Sequence, residues 1–316
     1  MDVKAFLALF NVKARTEFNR GFQSIKPEID GLLYEYPSGP VEKMNFPFFG
    51  FFQGMKKFTG KSEFESFPEA MNFYVTNEEW QEGVEILAKY IDRAAGIGDL
   101  NLYVKRIGEL PQVAAEHPYE LALDMLEAGD ANTYGTCFDA QNLFDTTHSY
   151  STSAGSQSNL LSGTGTTESN VITDLNSALA ALNGFYIQQG GTSNSKKRKL
   201  NKRMKLVVVC PDELYTTFWN IKTKARLSAG ETNPWQNRFE VVSRPFSDDD
   251  DWYLINVDNS DNLSLFLYQV EKPVELEYPS ETDESYKKEK KFQWNMYGRY
   301  AVAYGAWWKG VMTTNT

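Results

Sequence analysis

This sequence is poor in the residues that carry chemistry: its 316 positions hold two cysteines and two histidines. The cysteines, Cys137 and Cys210, are widely spaced, which excludes a disulfide framework and suits a reducing cytoplasm. Long apolar runs are missing as well, and none approaches the ~20 residues of a membrane span. The first residues, M-D-V-K-A-F-L-A-L-F, carry an early Asp2 and no small-residue cleavage site behind it, so they do not read as a signal peptide. A G-T-G-T-T run at 163–167 lacks the Walker lysine and the strand that a phosphate loop needs. Asp248–Asp251 has neither glycine nor ligand spacing and reads as a solvated turn, and D-N-S-D-N at 258–262 fails the calcium-loop pattern. No cofactor and no metal are expected. Positive charge is in short supply: 32 Lys+Arg against 42 Asp+Glu leave −10, a surface that repels phosphate backbones and excludes a general nucleic-acid binder.

What is present is a core. Hydrophobic residues at 41% and aromatics at 14% exclude global disorder, and the length allows two domains, or one with insertions. Residues 4–21 place Phe6, Leu7, Phe10, Ala14 and Phe18 near helical spacing, with Gly21 as a stop. Residues 36–70 hold Phe46, Phe48, Phe49, Phe51, Phe52 and Phe58 among glycines and lysines with no helical period. Such a segment cannot bury its own rings, so it packs beneath the domain or against another chain. Phe73 with Val75, and Val84 with Ile86 and Tyr90, give strand signals around Asn77-Glu78-Glu79; extended segments around a Gly/Lys-rich tip describe a long hairpin.

From Leu100 to Gly129 the period turns helical through Ile107, Leu110, Ala114, His117, Leu121 and Met125. Pro111 and Pro118 make this one kinked helix or two in sequence, and His117 reads as a satisfied core histidine. A Ser/Thr/Gly-rich loop at 149–170 is a candidate boundary. Val171–Gln189 reads as a helix, the basic run Lys196–Lys205 as a solvated loop, Leu206–Cys210 as an apolar strand, and the residues from Pro211 as another helix. Strand signals follow at 239–243, 252–257, 263–270 and 273–279. The closing aromatic stretch reads as one long strand, or as a bent pair hinged at Gly298.

The most specific stretch runs from Tyr134 to His148. It holds Cys137, Asp139, Asp145, Thr147 and His148, an apparent nucleophile-and-base set. Such a set within one turn is seldom catalytic without a base and an orienting group from elsewhere in the fold. The alternative is a turn held by side-chain to backbone hydrogen bonds, each worth about a kcal/mol. The stretch follows a helix ending in D-M-L-E-A-G, and it resembles the C-x-D-x-Q-x-F-F-D-x-x-H turn of the major head subunits of Mu-like tailed phages. Leu143 replaces one Phe of the family's pair, and Ser149 replaces the usual Pro.

The resemblance covers most of the chain and is loosest over 230–290. It implies an α+β, Hong Kong 97-like capsid fold: an N-terminal arm (1–36), an extended β-hairpin loop (37–90), a peripheral domain with a long spine helix (91–150), an axial α/β domain (151–262) and return strands of the peripheral domain (263–316). It implies hexamers and pentamers closing an icosahedral head that encloses DNA without specific binding. Scaffolding protein, portal and a decoration protein are the implied partners; there is no membrane and no enzyme activity. An encapsulating compartment of the same fold, told apart by enzyme cargo, is the alternative, with a Cys/His hydrolase behind it. Contact with a neighbouring subunit is expected at Phe46, Phe48, Phe49, Phe51, Phe52, Met55, Lys56, Lys57, Phe58 and Lys61.

Overall fold

The computed structural model describes residues 3–24, 27–48, 71–97, 101–150, 155–189, 196–227, 230–248, 250–280 and 282–315. In chain order the elements are α1 (Val3–Ser24), β1 (Leu33–Pro37), β2 (Lys43–Phe48), β3 (Met71–Thr76), β4 (Glu78–Leu87), α2 (Ala88–Ile97) and α3 (Asn101–Glu127). Then come β5 (Leu160–Ser162), α4 (Glu168–Gly184), β6 (Tyr186–Gln189), β7 (Lys196–Lys199), β8 (Leu206–Pro211), α5 (Asp212–Thr223), β9 (Phe239–Arg244) and β10 (Trp252–Asn256). The chain closes with β11 (Phe266–Glu277), α6 (Glu284–Glu289), β12 (Lys291–Tyr304), a 3-10 turn (Trp307–Lys309) and β13 (Gly310–Thr314).

Two sheets organise these elements. One is four-stranded in the order β1-β11-β12-β4, the other five-stranded in the order β5-β13-β10-β8-β9. The spine helix α3 packs on the first sheet and α1 packs on α3. Burial of Phe10, Ala14 and Phe18 against Ile107, Leu110, Ala114, Phe292 and Trp294 explains why α1 forms. Its described stripe meets the chain's own helix α3. Both prolines lie inside the single helix α3. Pro111 and Pro118 are seven residues apart, about two turns, and both are buried on one face, so the helix is continuous and its sequence offers no break between them.

Several local expectations change. Val171–Gln189 is not one helix: α4 stops at Gly184, Phe185 turns extended (φ −61°, ψ 129°), and Tyr186–Gln189 pairs antiparallel with Lys196–Lys199. The start of the basic run is thus a strand rather than a loop, with Lys197 over the Tyr186 ring at 4.0 Å. Leu160–Ser162, inside the Ser/Thr/Gly-rich stretch, pairs parallel with β13. The strand signals at 263–270 and 273–279 merge into the one bulged strand β11. Gly298 is no hinge. It lies within β12, where a side chain would meet Val274 at 2.8 Å, and the strand ends instead at Tyr304. The last strand, β13, runs between β10 and β5 in the five-stranded sheet, apart from the other return strands.

The Asp248–Asp251 turn is also less solvated than its charge implies. Asp251 is half-buried and accepts from the Asn315 N–H at 2.9 Å. Burial pushes its carboxyl from the ordinary 3.8 to about 6, against that hydrogen bond and with repulsion from Asp248, Asp130 and Asp250. The folded state therefore holds the proton more tightly than the unfolded chain, and this group's contribution to stability falls as pH rises from 3.8 through about 6. Asp251→Asn keeps the acceptor and stays neutral. It is expected to stabilise the fold at pH 7.5 by up to about 1 kcal/mol, since solvent screens a partly exposed group. The gain should vanish below pH 4, and equal urea midpoints at pH 7.5 would contradict it.

Candidate functional site

The turn after the spine helix is where the described chain is most densely cross-linked. Gly129 ends the helix and lies so close to Phe144 that an added Cβ would meet its ring at 2.8 Å; the Phe144 N–H donates to the Gly129 carbonyl at 2.8 Å. Cys137 N–H donates to Gln141 O at 2.8 Å and Ala140 N–H to Cys137 O at 2.9 Å, with Ala140 in the left-handed region (φ 63°). One oxygen of Asp145 accepts from both the backbone N–H (2.8 Å) and the hydroxyl (2.6 Å) of Thr147. Asp139 and His148, which the sequence placed in the same turn without pairing them, meet and are buried, with side chains 4% and 0% exposed.

His148 is bonded on both ring nitrogens. Nδ1 lies 2.8 Å from Asp139 Oδ2, and Nε2 lies 3.1 Å from the Leu143 carbonyl. Asp139 also accepts from the N–H groups of Ser149 (3.1 Å) and Gln141 (3.4 Å). The imidazole is thereby fixed between a carboxyl and a main-chain carbonyl. The ring lies flat on Trp307, 4.3 Å between centroids and 6° from parallel. Phe185 and Trp308 meet Trp307 edge-on, and Phe138 and Tyr150 pack in turn on Trp308 and on each other.

This geometry does not make a nucleophile and its base. Burial, with Asp139 and Asp145 adding to it, pushes the Cys137 thiol well above its ordinary range, and burial raises Cys210 to about 12. Both ring nitrogens of His148 are taken up by Asp139 and the Leu143 carbonyl, so neither is placed to serve the Cys137 thiol. No group of three or more His, Cys, Asp or Glu side chains among the described residues could hold a metal, and no described helix is long and apolar enough to cross a membrane. The second histidine, His117, is half-buried at the edge of the apolar stripe of α3 rather than in the core. Its Nδ1 lies 2.7 Å from the Tyr300 hydroxyl, and burial lowers its pKa.

Sequence reasoning missed the residues that tie this turn to distant strands. Asn159 accepts from the Asp145 N–H at 2.8 Å and directs its amide at the carbonyls of Leu143 (2.8 Å), Trp307 (3.1 Å) and Gly310 (3.2 Å). Lys309, 1% exposed, spends its three ammonium protons on Asp258 O (2.5 Å), Asp261 Oδ1 (2.7 Å) and Leu263 O (2.7 Å). The D-N-S-D-N loop thus wraps a cation after all, a lysine supplied by the 3-10 turn. Of the expected contact residues, Phe46 is buried in the chain's own core, edge-on to Tyr36 at 5.2 Å, and is unavailable to a neighbour. Phe48 lies in β2, opposite Met71. Phe49, Phe51, Phe52, Met55, Lys56, Lys57, Phe58 and Lys61 lie outside the described residues.

The described chain is thus α+β, with two main sheets, a long helix α3, the paired strands β2 and β3, and a buried, hydrogen-bonded turn. Solved structures share this architecture. A procapsid of bacteriophage JBD30 matches over 99% of this chain and 76% of its own, with TM-score 0.56 and 15% identity. The capsid of cyanophage P-SCSP1u matches over 93% and 90%, with TM-score 0.51 and 9% identity. A virus-like particle from Pyrococcus furiosus matches over 96% and 98%, with TM-score 0.50 and 9% identity. The fold is the Hong Kong 97-like capsid fold. The family described as phage capsid protein matches residues 104–311. The family described as Mu-like prophage major head subunit gpT matches residues 7–183, more than half of the sequence, and the chain belongs to this family of tailed-phage major capsid proteins. No curated protein matches it.

Proposed function

We propose that this chain is the repeating subunit of a phage head, assembling with copies of itself into hexamers and pentamers that close around DNA. The family match over residues 7–183 carries the reading. The buried Cys137–His148 turn supports a structural rather than a catalytic role, because its groups are all spent on holding the fold. In that role the chain resides in the virion after assembly in the host cytoplasm, and its further partners are a scaffolding protein, a portal and a decoration protein. Its net charge of −10 supports a wall that encloses DNA without gripping it.

The hairpin that begins with β2 and β3 is assigned the contact between subunits, through the segment from Phe49 to Lys61. Purified protein should show pentamers, hexamers or closed particles by negative-stain electron microscopy; a stable monomer at every concentration would overturn the reading. Deleting Gly54–Gly60 should leave the far-UV circular dichroism and the melting point unchanged and abolish closed particles. Enzyme cargo in place of DNA inside the native particle would favour an encapsulating compartment.

A further inference from the structure

Positive charge, scarce in this chain, is gathered in one place. Seven of its 32 Lys+Arg fall between Lys196 and Lys205, and no Asp or Glu occurs between Asp174 and Asp212. The fold lays this run open to solvent. Lys196–Lys199 pairs antiparallel with Tyr186–Gln189, so Lys197 and Lys199 leave one face of a two-stranded ribbon ~6.8 Å apart. Both are exposed, as are Lys202, Arg203 and Lys205 in the loop that leads into β8.

A cavity of about 270 Å³ lies where the ribbon, this loop and the β10–β11 loop meet, and Arg198, Lys199, Lys202 and Arg203 line it. The two carboxylates that share its wall are already answered. Asp261 meets Lys309 at 2.7 Å, and Asp258 accepts from the Ser260 hydroxyl, with Lys309 and Arg203 adding attraction. Lys205 reaches Asp30 at 3.3 Å, in a solvent-exposed bridge. Among the described residues no ion pair holds Lys199, Lys202 or Arg203. Cations this dense repel one another, and little on the chain offsets them. They are strung along a ribbon and a loop instead of converging on a point, so their counterpart is a polyanion rather than a single acid group. Duplex DNA carries one charge per ~1.7 Å of axis and can answer such a row in any register, without its sequence being read. We infer that the β6–β7 ribbon and the Lys202–Lys205 loop form a phosphate-contacting patch for the enclosed DNA, and that this side of the subunit faces the interior of the shell. The inference rests on the capsid reading and adds to it the orientation of the chain in the wall. The net charge of −10 keeps each contact weak.

Salt titration of the full chain on a short duplex of random sequence tests the patch. Each cation engaged adds about −0.9 to the slope of log K against log salt. Lys199→Gln, Lys202→Gln and Arg203→Gln are at exposed positions and should leave the circular dichroism unchanged. Combined, they should weaken binding and flatten the slope by roughly 2–3. Lys287→Gln, Lys288→Gln and Lys290→Gln remove the same charge from another exposed face and should change the slope far less. Lys199→Arg with Lys202→Arg should bind as the parent does. A slope unmoved by the patch variant, or flattened equally by both triple variants, would overturn the inference. In DNA-filled heads, formaldehyde should join peptides from 196–205 to the DNA; cross-links confined to other peptides would overturn the orientation. A patch variant that binds duplex like the parent yet forms no particles would turn these cations toward another chain, and overturn the inference too. Unsubstituted protein that binds duplex through the patch but never assembles would sink the capsid reading, and with it the orientation, while the patch stood.

Discussion

His148→Phe should lower the unfolding free energy by roughly 2–4 kcal/mol, because it leaves the buried Asp139 without its ring partner, at ~1–3 kcal/mol for each buried polar group left unpaired, more for a charged one. Phenylalanine keeps a flat ring on Trp307, so the loss isolates the two hydrogen bonds rather than the stacking. It strands the Asp139 carboxylate, 4% exposed, with the Ser149 and Gln141 N–H groups as its remaining donors. It also leaves the Leu143 carbonyl to Asn159 alone. At ~2–4 °C per kcal/mol for a chain of this size class, the melting temperature should fall on the order of 10 °C. Asp139→Leu combined with His148→Phe should recover much of the loss, because an apolar pair needs no partners. The single-turn hydrogen bonds expected from sequence were worth less than this; burial is what raises the stake. A chemical-denaturation midpoint for His148→Phe within error of the parent would show that the pair contributes nothing.

Lys309→Met should be comparably costly, at about 3–4 kcal/mol. Methionine fills the space of the stem but offers no donor. The carbonyls of Asp258 and Leu263 then lose the ammonium, at ~1–3 kcal/mol for each buried acceptor left unpaired. Asp261 is 43% exposed and rehydrates, so its share is small. Lys309→Arg should not rescue the fold, because a planar fork cannot aim three donors at three acceptors placed around a point charge. The loop it holds joins β10 of the five-stranded sheet to β11 of the four-stranded one, so hydrogen exchange should quicken across 257–265 in both variants. Unchanged protection there would mean the ammonium is not what closes the loop.

Much of this protein was legible in its residues. The apolar stripes of α1 and α3, the apolar run of β8 and the stop at Gly129 follow from local spacing, and local spacing is what a sequence displays. The stretch from Cys137 to His148 was legible as a unit because its members are neighbours along the chain. The Phe-rich segment left two placements open, beneath its own domain or against another chain, and Phe46 takes the first.

Contacts made across long separations were not legible. Nothing near His148 points to Trp307, and nothing in D-N-S-D-N points to Lys309, because those meetings depend on where β12 ends and the 3-10 turn begins. The sequence left one long strand or a bent pair hinged at Gly298; β12 runs straight through Gly298, where Val274 comes close, and the chain turns after Tyr304. Tyr186 sits at helical spacing from Leu182 but becomes a strand residue, because the main-chain groups of Tyr186 bond the buried side-chain amide of Gln157 at 2.9 Å. The sequence by itself carried the apolar stripes of its helices and, through the resemblance of one local motif, the α+β fold and the phage-head family, since periodicity and a contiguous motif are visible along the chain. The tertiary structure alone decided that the turn is buried beneath Trp307 and that β13 joins the second sheet, since each depends on segments far apart in sequence packing side by side.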